Sequence, residues 1–197
     1  MVAAPHHNQD PLYMSEPEYL AFEETSDIKH EYVNGRVFAM AGADWNHVMI
    51  TQSTSSALYF QLRGKSCSVG TNDLRLKVVS KKVSYRYPDI MVICSDPNFI
   101  DNRKTIDNPN VIIEVLSPTT ALEDHNTKLT EYTALDSVQE YLLIAQDEVR
   151  VEQYTRQTSG KWIYNPVSGL GKVLTLASID CKLALSDIYE QVDFNEQ

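Results

Sequence analysis

VIIEVL, residues 111–116, is the stretch of this 197-residue chain on which the prediction of the fold depends. A short run of β-branched and aliphatic residues is typical of a strand that is buried on both faces. Its fourth residue, Glu114, carries a carboxylate that loses its hydration there. That loss costs free energy unless the carboxylate is paired or binds a metal ion. Glu114 is therefore the first candidate for a functional residue, with a buried structural ion pair to Lys128 or Arg75 as the alternative.

A second acid has a similar setting one strand earlier. Asp89 follows Pro88 and precedes IMVIC, residues 90–94, which is another buried-strand pattern. Asp89 is also compatible with a simple turn residue before a strand. Two carboxylates on two core strands predict a site built on a rigid sheet, most simply a divalent-cation site.

The helix expected after the Glu114 strand adds a cation to these acids. Thr120 and Glu123 have the spacing of a capping box and predict a helix over 121–135. Asp124, Lys128 and Tyr132 would share one face of that helix. If the helix crosses back over the sheet to the next strand, Lys128 can point toward the two acids. The alternative is that Asp124 and Lys128 form an ordinary helical salt bridge.

The remaining pattern predicts an α/β (α+β) fold, with a mixed β-sheet flanked by helices. The expected elements are a helix from Ser15, a hairpin about Asn34-Gly35, a helix capped by Asp44 or Asn46 that reaches about Leu62, strands within 66–95, a polar loop over 96–109, a strand over 141–144 after the crossover, and antiparallel strands over 148–156 and 162–164. We expect one domain over 14–197. Residues 1–13 are predicted to be a loose extension, and Met14 is a second candidate for the start of the protein.

Composition and charge narrow the classes of function. The net charge is −10, which argues against generic high-affinity binding of nucleic acid but leaves room for a local basic groove. Candidate contributors to such a groove are Arg75, Lys77, Lys81, Lys82 and Arg86, with a solvated strand-and-turn surface as the simpler interpretation. No stretch is apolar enough to span a membrane and no signal peptide is recognisable, so a cytoplasmic protein is expected. The three cysteines, Cys67, Cys94 and Cys181, are then interpreted as reduced thiols.

The chemistry of the acids selects the metal and the reaction. Carboxylate oxygens without His or Cys companions suit Mg²⁺ or Mn²⁺ better than Zn²⁺. Two carboxylates with a neighbouring lysine are the parts that metal-assisted phosphodiester hydrolysis requires. His47 is interpreted as a capping or packing residue, with contact to a substrate as the alternative. Trp45 is a candidate for stacking on bases, although aromatic residues beside strands more often lie in the core.

These motifs resemble the PD-(D/E)xK nuclease superfamily and, more closely, its restriction-endonuclease-like Uma-two family. The stretches that carry the resemblance are EYLAFEETSDIKHEYVNGRVFAMAG (18–42), YPDIMVIC (87–94), NPNVIIEVLSPTT (108–120) and KLTEYTALDSVQEYLLI (128–144). With the segments between them, the resemblance covers residues 14–189, nearly the whole chain. It implies a restriction-endonuclease-like core.

The resemblance also implies roles for individual residues. Asp89 and Glu114 would ligate the metal, together with the backbone carbonyl of Val115. The superfamily's lysine usually stands two positions after the second acid, where this chain has Leu116. Lys128 would replace that lysine from the following helix. Glu31 matches a further acid of such folds, with an exposed hairpin residue as the alternative.

Three functions follow from these observations, and the weakest of them is hydrolysis of some other phosphate ester, which the chemistry of the site alone does not separate from DNA cleavage. The first is a Mg²⁺-dependent or Mn²⁺-dependent endonuclease that hydrolyses DNA phosphodiester bonds and acts as a homodimer, because duplex cleavage in this superfamily often uses two active sites. The second is a nuclease fold retained as a binding or interaction module without turnover, which the charge of −10 and the displaced lysine motivate.

Overall fold

The structure is a computed structural model, and it describes residues 12–117 and 120–194. Its helices are α1 (Glu16–Thr25), α2 (Trp45–Leu62), α3 (Ala121–Glu123), α4 (Leu129–Thr133) and α5 (Leu185–Ile188), with a π-helical segment (Asp124–Lys128) between α3 and α4 and a 3₁₀ turn (Ala177–Ile179). Its strands are β1 (Leu12–Tyr13), β2 (His30–Val33), β3 (Arg36–Ala39), β4 (Ser68–Thr71), β5 (Arg75–Val79), β6 (Val83–Arg86), β7 (Ile90–Ile93), β8 (Phe99–Asp101), β9 (Thr105–Ile106), β10 (Val111–Leu116), β11 (Glu140–Ala145), β12 (Arg150–Arg156), β13 (Trp162–Ser168), β14 (Val173–Leu176) and β15 (Cys181–Ala184).

The strands form two large sheets and one small one. The six-stranded sheet has the order β13-β12-β11-β10-β7-β4, and the seven-stranded sheet has the order β1-β3-β2-β6-β5-β9-β8. Strands β14 and β15 make a separate antiparallel pair. The predicted mixed α+β architecture is therefore confirmed.

Strand β10 lies at the centre of the six-stranded sheet, as its apolar sequence predicts. It pairs antiparallel with β7 and parallel with β11. A parallel neighbour requires a crossover connection, and the helical residues 121–133 supply it. The predicted strand-helix-strand unit is confirmed.

The alternation of side chains along β10 places Glu114 on one face. Val111, Ile113 and Val115 belong to the hydrophobic core that α2 covers. Ile112 belongs to a second core that contains Tyr132 of α4. Because successive strand residues point to opposite faces, Glu114 shares the Ile112 face and points toward α4.

The N-terminal predictions agree with the structure. The hairpin turns at Asn34 and Gly35, both of which have positive φ, as this turn requires. Asp44 caps α2 by accepting a hydrogen bond from the His47 amide at 3.0 Å. Most of the expected loose extension, 1–13, falls outside the described residues. Its last two residues, 12–13, pair with β3.

The helical crossover departs from the prediction in two ways. Thr120 makes no capping hydrogen bond through its side chain, and the Glu123 carboxylate contacts Arg86 at 2.8 Å instead of completing a capping box. The helix is also not a uniform α-helix over 121–135, because residues 124–128 form a π-helical segment and α4 ends at Thr133.

Two further local predictions are wrong. The segment 96–109 is not simply a polar loop, since it contains β8 and β9, which join the seven-stranded sheet. Strand β6 was expected to be part of a strand-and-turn surface, yet it lies between β2 and β5. Short strands of two to five residues give little periodicity, so the sequence pattern does not reveal them.

The prediction of reduced cysteines is wrong for one pair. Cys67 and Cys94 form a disulfide, whereas Cys181 is a free, buried thiol. Strands β4 and β7 are antiparallel, with Ser68 opposite Ile93. Cys67 directly precedes Ser68 and Cys94 directly follows Ile93, so the two cysteines lie opposite each other. The pairing depends on this strand register, and a local sequence pattern does not predict a register between cysteines 27 positions apart.

Candidate active site

The site begins where two neighbouring strands diverge. Strand β7 starts at Ile90 and covers β10 only as far as Ile113, so the end of β10 has no strand partner on that side. The side chain of Asp89 takes the place of a partner, because its Oδ2 accepts the Val115 amide hydrogen bond at 2.7 Å. This hydrogen bond holds the Asp89 side chain beside the last residues of β10, the strand that carries Glu114.

Glu114 is buried, with 3% of its surface exposed, and both of its carboxylate oxygens have donors. Its Oε1 accepts hydrogen bonds from Lys128 Nζ at 3.0 Å and from the Tyr132 hydroxyl at 2.8 Å. Its Oε2 accepts a longer hydrogen bond from the Asp89 amide at 3.3 Å. The predicted grouping of Asp89, Glu114 and Lys128 is therefore present in the structure.

The π-helical segment brings its first and last residues to the same place. Asp124 Oδ1 lies 3.0 Å from Lys128 Nζ, and both side chains are buried. Glu31 approaches from the N-terminal hairpin, with its Oε1 3.8 Å from the same Nζ. π-Helical turns are frequent at functional sites. Lys128 therefore lies among three carboxylates: those of Glu114, Asp124 and Glu31.

Arg86 is a second buried cation beside this group, and the sequence analysis missed its role. Its Nη1 contacts Glu31 at 2.7 Å, and its Nε contacts Glu131 at 2.8 Å. The residue has no exposed surface, so it does not belong to a surface groove. Its position three residues before Asp89 in the YRYPD stretch is the signal that could have located it.

His47 contacts the site from the first turn of α2. Its Nε2 lies 3.0 Å from Asp89 Oδ1, and its side chain is 17% exposed. Asp44 holds this turn through the His47 amide. His47 was expected from the sequence to be mainly a capping or packing residue, and in the structure it also contacts the predicted metal ligand Asp89.

The electrostatics of the site are dominated by crowded carboxylates. Burial raises the pKa of Glu114 to about 8, with Lys128 opposing the rise and Asp89 and Asp124 adding to it. Burial likewise raises the pKa of Asp124. These acids ionise with difficulty because their negative charges lie close together out of water. A bound cation would relieve this repulsion.

The pKa values of Lys128 and Glu31 shift in the direction that favours the charged form of each side chain. Burial alone would lower the pKa of Lys128, but Glu114, Glu31 and Asp124 raise it well above its ordinary value. Burial would raise the pKa of Glu31, but Lys128 and Arg86 lower it. Lys128 therefore remains protonated and can act as a positive charge and a hydrogen-bond donor, not as a base.

The donor set fits a hard divalent cation. Within the described part of the chain, no three His, Cys, Asp or Glu side chains form a ready-made cage for a metal. An open set of two carboxylates and one backbone carbonyl, completed by water, is how proteins commonly bind Mg²⁺. The Val115 amide faces Asp89, and the carbonyl of a strand residue projects to the same side as its amide. Asp89, Glu114 and the Val115 carbonyl thus share one edge of β10.

The basic groove considered from sequence is largely absent. Arg75 pairs with Asp101 at 2.6 Å and is buried. Lys77 pairs with Glu16 at 2.7 Å. These charges stabilise the seven-stranded sheet. Among the described residues, no helix is long and apolar enough to cross a membrane.

A mixed sheet with two acids on diverging central strands, and a lysine on the crossover helix, is the arrangement of a restriction-endonuclease-like protein. Comparison of the sequence with protein families agrees with this class. Residues 16–186 match the family model Uma2, described as "Putative restriction endonuclease". The chain belongs to the Uma2 family, and the predicted resemblance is confirmed.

The chain is similar to two cyanobacterial proteins and to a crystal structure. The uncharacterized protein slr1290 of Synechocystis is 33% identical over 181 residues, which cover 92% of this chain and 94% of that protein. The uncharacterized protein sll1609 of the same organism is 37% identical over 153 residues, or 77% of this chain and 86% of that protein. A crystal structure from Anabaena variabilis, titled "a putative nuclease belonging to DUF820", shares the fold, with a TM-score of 0.68 at 18% identity over 84% of this chain and 92% of that one.

Proposed function

We propose that this protein is a Mg²⁺-dependent or Mn²⁺-dependent endonuclease that hydrolyses DNA phosphodiester bonds. The observation that carries the proposal is the convergence of Asp89, Glu114 and Lys128 within hydrogen-bonding distance at the diverging ends of β7 and β10. Membership of the Uma2 family supports the reaction class. The metal and the DNA substrate are parts of the proposal.

Each residue would have a separate part in the reaction. Asp89, Glu114 and the Val115 carbonyl would hold the metal, which when bound supplies a Lewis acid for the phosphate and lowers the pKa of its water. Lys128 would orient the attacking water and stabilise the negative charge that develops on the phosphate. Glu31 contacts both Lys128 and Arg86 and would keep the lysine amine in position.

The test is cleavage of supercoiled plasmid DNA by the purified protein with Mg²⁺, with Mn²⁺ and with EDTA. We expect nicking and linearisation with either metal and none with EDTA. Glu114→Gln should reduce the cleavage rate at least a hundredfold, because it removes a charged ligand without changing the shape of the side chain. Glu140→Gln is the matched control, since Glu140 is also buried, lies on the adjacent strand β11 and contacts Ser178 instead of the site.

Absence of cleavage by the parent protein with either metal would overturn the proposal, and so would either of two results with the variants. The first is metal-dependent cleavage by Glu114→Gln at the rate of the parent protein. The second is loss of cleavage in Glu140→Gln equal to that in Glu114→Gln, since a folding defect would then explain both variants. Circular dichroism of each variant verifies that the fold is retained.

One observation favours a second candidate function, a nuclease fold that binds or interacts without turnover. Lys128 Nζ lies 3.0 Å from Glu114 Oε1, so the lysine and the acid already satisfy one another without metal. Under this alternative, the parent protein neither cleaves DNA nor binds Mg²⁺, and Glu114→Gln changes neither property.

The homodimer is part of the nuclease proposal. Strand β13 forms one edge of the six-stranded sheet and exposes Ile163 and Tyr164. Pro166 lies in this strand and lacks an amide hydrogen, so side-chain packing would contribute more than continued backbone pairing. Light scattering should give twice the monomer mass of 22.3 kDa, and a monomer mass with and without DNA would exclude the dimer.

A further inference from the structure

A cavity of about 260 Å³ lies immediately beyond the site, at the ends of β10 and β11. These strands are parallel with Leu116 opposite Ala145, so both ends reach the same edge of the sheet. Leu116 follows Glu114 by two residues, which corresponds to about 7 Å along a strand. The cavity therefore lies about one nucleotide away from the carboxylate that would help hold the metal.

The walls of the cavity combine an apolar floor with a charged rim. Leu116, Ala121, Leu143 and Ala145 supply the apolar surface. The rim carries the acids Asp147, Glu148 and Glu152 and the basic residues Arg150 and His125. Apolar surface bordered by polar groups suits a small heterocycle, and the volume lies just below the roughly 300 Å³ at which pockets for larger ligands begin.

The arrangement of charges at the rim excludes an anion as the natural occupant. Arg150 is already engaged, with Nη2 2.9 Å from Glu152 and Nη1 3.6 Å from Glu148. His125 Nε2 lies 3.4 Å from Glu152 as well. The rim therefore offers an excess of carboxylate acceptors. Such a rim repels a phosphate and attracts a neutral group with N–H donors.

Gln146 connects the cavity to the candidate active site. It lines the cavity, and its Nε2 donates to Asp44 Oδ2 at 2.8 Å, which fixes the orientation of the amide. The other oxygen of Asp44 accepts the amide of His47, whose ring contacts Asp89 at 3.0 Å. The wall of the cavity and the proposed metal ligand thus belong to one hydrogen-bond network.

The Oε1 atom of Gln146 is a further acceptor in this wall. It is buried and has no hydrogen-bond partner within the described residues. Buried polar atoms are almost always paired, and an unpaired one costs free energy. A small shift of the amide toward the cavity would let a donor on a ligand satisfy this oxygen.

We propose that the cavity binds a single unpaired nucleobase that carries an exocyclic amino group, adenine or cytosine, in the nucleotide next to the scissile phosphate. The inference rests on the proposed function for its substrate, a DNA strand. Carboxylate and amide acceptors are the groups that recognise such amino groups in proteins. The base must lie in a single strand or be flipped out of the duplex, because a base paired and stacked within a duplex cannot enter a pocket of this size.

The test is saturation-transfer NMR of the full chain with adenosine, cytidine, thymidine and inorganic phosphate, without metal. We expect saturable binding of adenosine and cytidine, at least fivefold weaker binding of thymidine, and none of phosphate. Ala121→Leu fills the cavity and should weaken binding of adenosine at least tenfold. Ala21→Leu, on the exposed face of α1, is the matched control and should bind as the parent does.

A second variant covers the case in which leucine at position 121 disturbs the fold. Glu152→Gln keeps the shape of the rim, removes one charged acceptor, and should lower the preference for cytidine over thymidine at least threefold. Absence of binding by every nucleoside would overturn the inference. So would equal binding of thymidine and adenosine, or unchanged binding in both cavity variants.

The results separate this inference from the proposed nuclease activity. Cleavage of DNA without any nucleoside binding would retain the proposed function and reject the base pocket. Binding of adenosine and cytidine by a protein that does not cleave DNA would retain the pocket and reject the nuclease.

Discussion

A carboxylate in the interior of a protein requires compensation, and Glu114 receives it from two donors on one helix. Lys128 and Tyr132 both donate to its Oε1. The compensation is incomplete, since the pKa of Glu114 remains raised to about 8, first by burial. Binding of a cation at Oε2 of Glu114 would therefore stabilise the ionised carboxylate.

The ion pair between Lys128 and Glu114 should be strongly coupled. Lys128→Met leaves Glu114 and Asp124 without their nearest cation and should lower the free energy of unfolding by about 3–5 kcal/mol at pH 8.5. The double variant Lys128→Met, Glu114→Gln should lose less, because only Asp124 is then left without the lysine that lies 3.0 Å from it. Urea denaturation measures the loss in each variant. A loss in the double variant equal to the sum of the losses in Lys128→Met alone and Glu114→Gln alone would show that the pair is not coupled.

Glu140 provides a pH dependence that is independent of the site. Burial raises its pKa above the ordinary value of 4.5, although Ser178 and Gln153 donate to it. The folded state therefore binds this proton more tightly than the unfolded state, and the stability associated with it is lost as pH rises from about 4.5 to the raised pKa. We expect Glu140→Gln to gain stability relative to the parent over that range.

Urea denaturation of the parent and of Glu140→Gln at intervals between pH 4 and pH 8 measures this difference. The altered hydrogen bonds in Glu140→Gln shift the unfolding free energy by the same amount at every pH. The raised pKa is therefore tested by how the difference between the two proteins changes with pH. A difference in unfolding free energy that stays flat with pH would contradict the raised pKa.

At the scale of elements, Asp44 makes two contacts that hold the first turn of α2 in place. One oxygen caps the helix through His47, and the other accepts from Gln146. Asp44→Ala should lower the free energy of unfolding by about 1–2 kcal/mol, because both contacts are lost. Asp44→Asn should cost less than half as much, since Asn also caps helices and the Gln146 amide can rotate to pair with it. Equal losses would show that the cap has no role in stability.

The long, regular elements were predictable from sequence because their patterns repeat over several residues. The bounds of α2 follow from Asp44 and from the break at Gly64, and β10 follows from its apolar run. The π-helical segment was not predictable, since nothing in the letters DHNTK distinguishes it from an α-helix. The grouping of Glu114 with Lys128 was predicted nevertheless, because the spacing of four residues from Asp124 holds for either helix.

The site was predictable only in part, for a physical reason. Acids within or directly beside apolar runs are conspicuous, so Glu114 on β10 and Asp89 just before β7 are visible in the sequence. The environment of Arg86 depends on Glu31 and Glu131, which lie 55 and 45 positions away. Contacts at such separations are set by the pairing of β2 with β6 and by the path of the crossover helix, neither of which a local pattern determines.

At the scale of the whole molecule, the disulfide links β4 to β7 beside the core that α2 covers. Closing a loop of 27 residues restricts the unfolded chain, which should contribute about 3–4 kcal/mol to stability. The double variant Cys67→Ser, Cys94→Ser should therefore unfold at lower urea concentration than the parent under oxidising conditions. With a reducing agent present, the two proteins should differ by much less. Identical unfolding under oxidising conditions would contradict a stabilising disulfide.

The net charge of −10 should weaken the electrostatic attraction between the whole protein and DNA. Because most of the basic residues near the seven-stranded sheet are paired internally, long-range attraction to DNA should be weak. A divalent cation at the site would add positive charge where the phosphate must bind. Metal and substrate are therefore expected to bind cooperatively.

Binding of a divalent cation by Asp89 and Glu114 is the claim on which the proposed nuclease function depends. Calorimetric titration of the protein with Mg²⁺ and Mn²⁺, compared with the double variant Asp89→Asn, Glu114→Gln, tests it most directly. We predict saturable binding of both ions by the parent protein and loss of that binding in the variant. Equal heats in the two proteins, whether negligible or saturable, would contradict a metal site at these carboxylates.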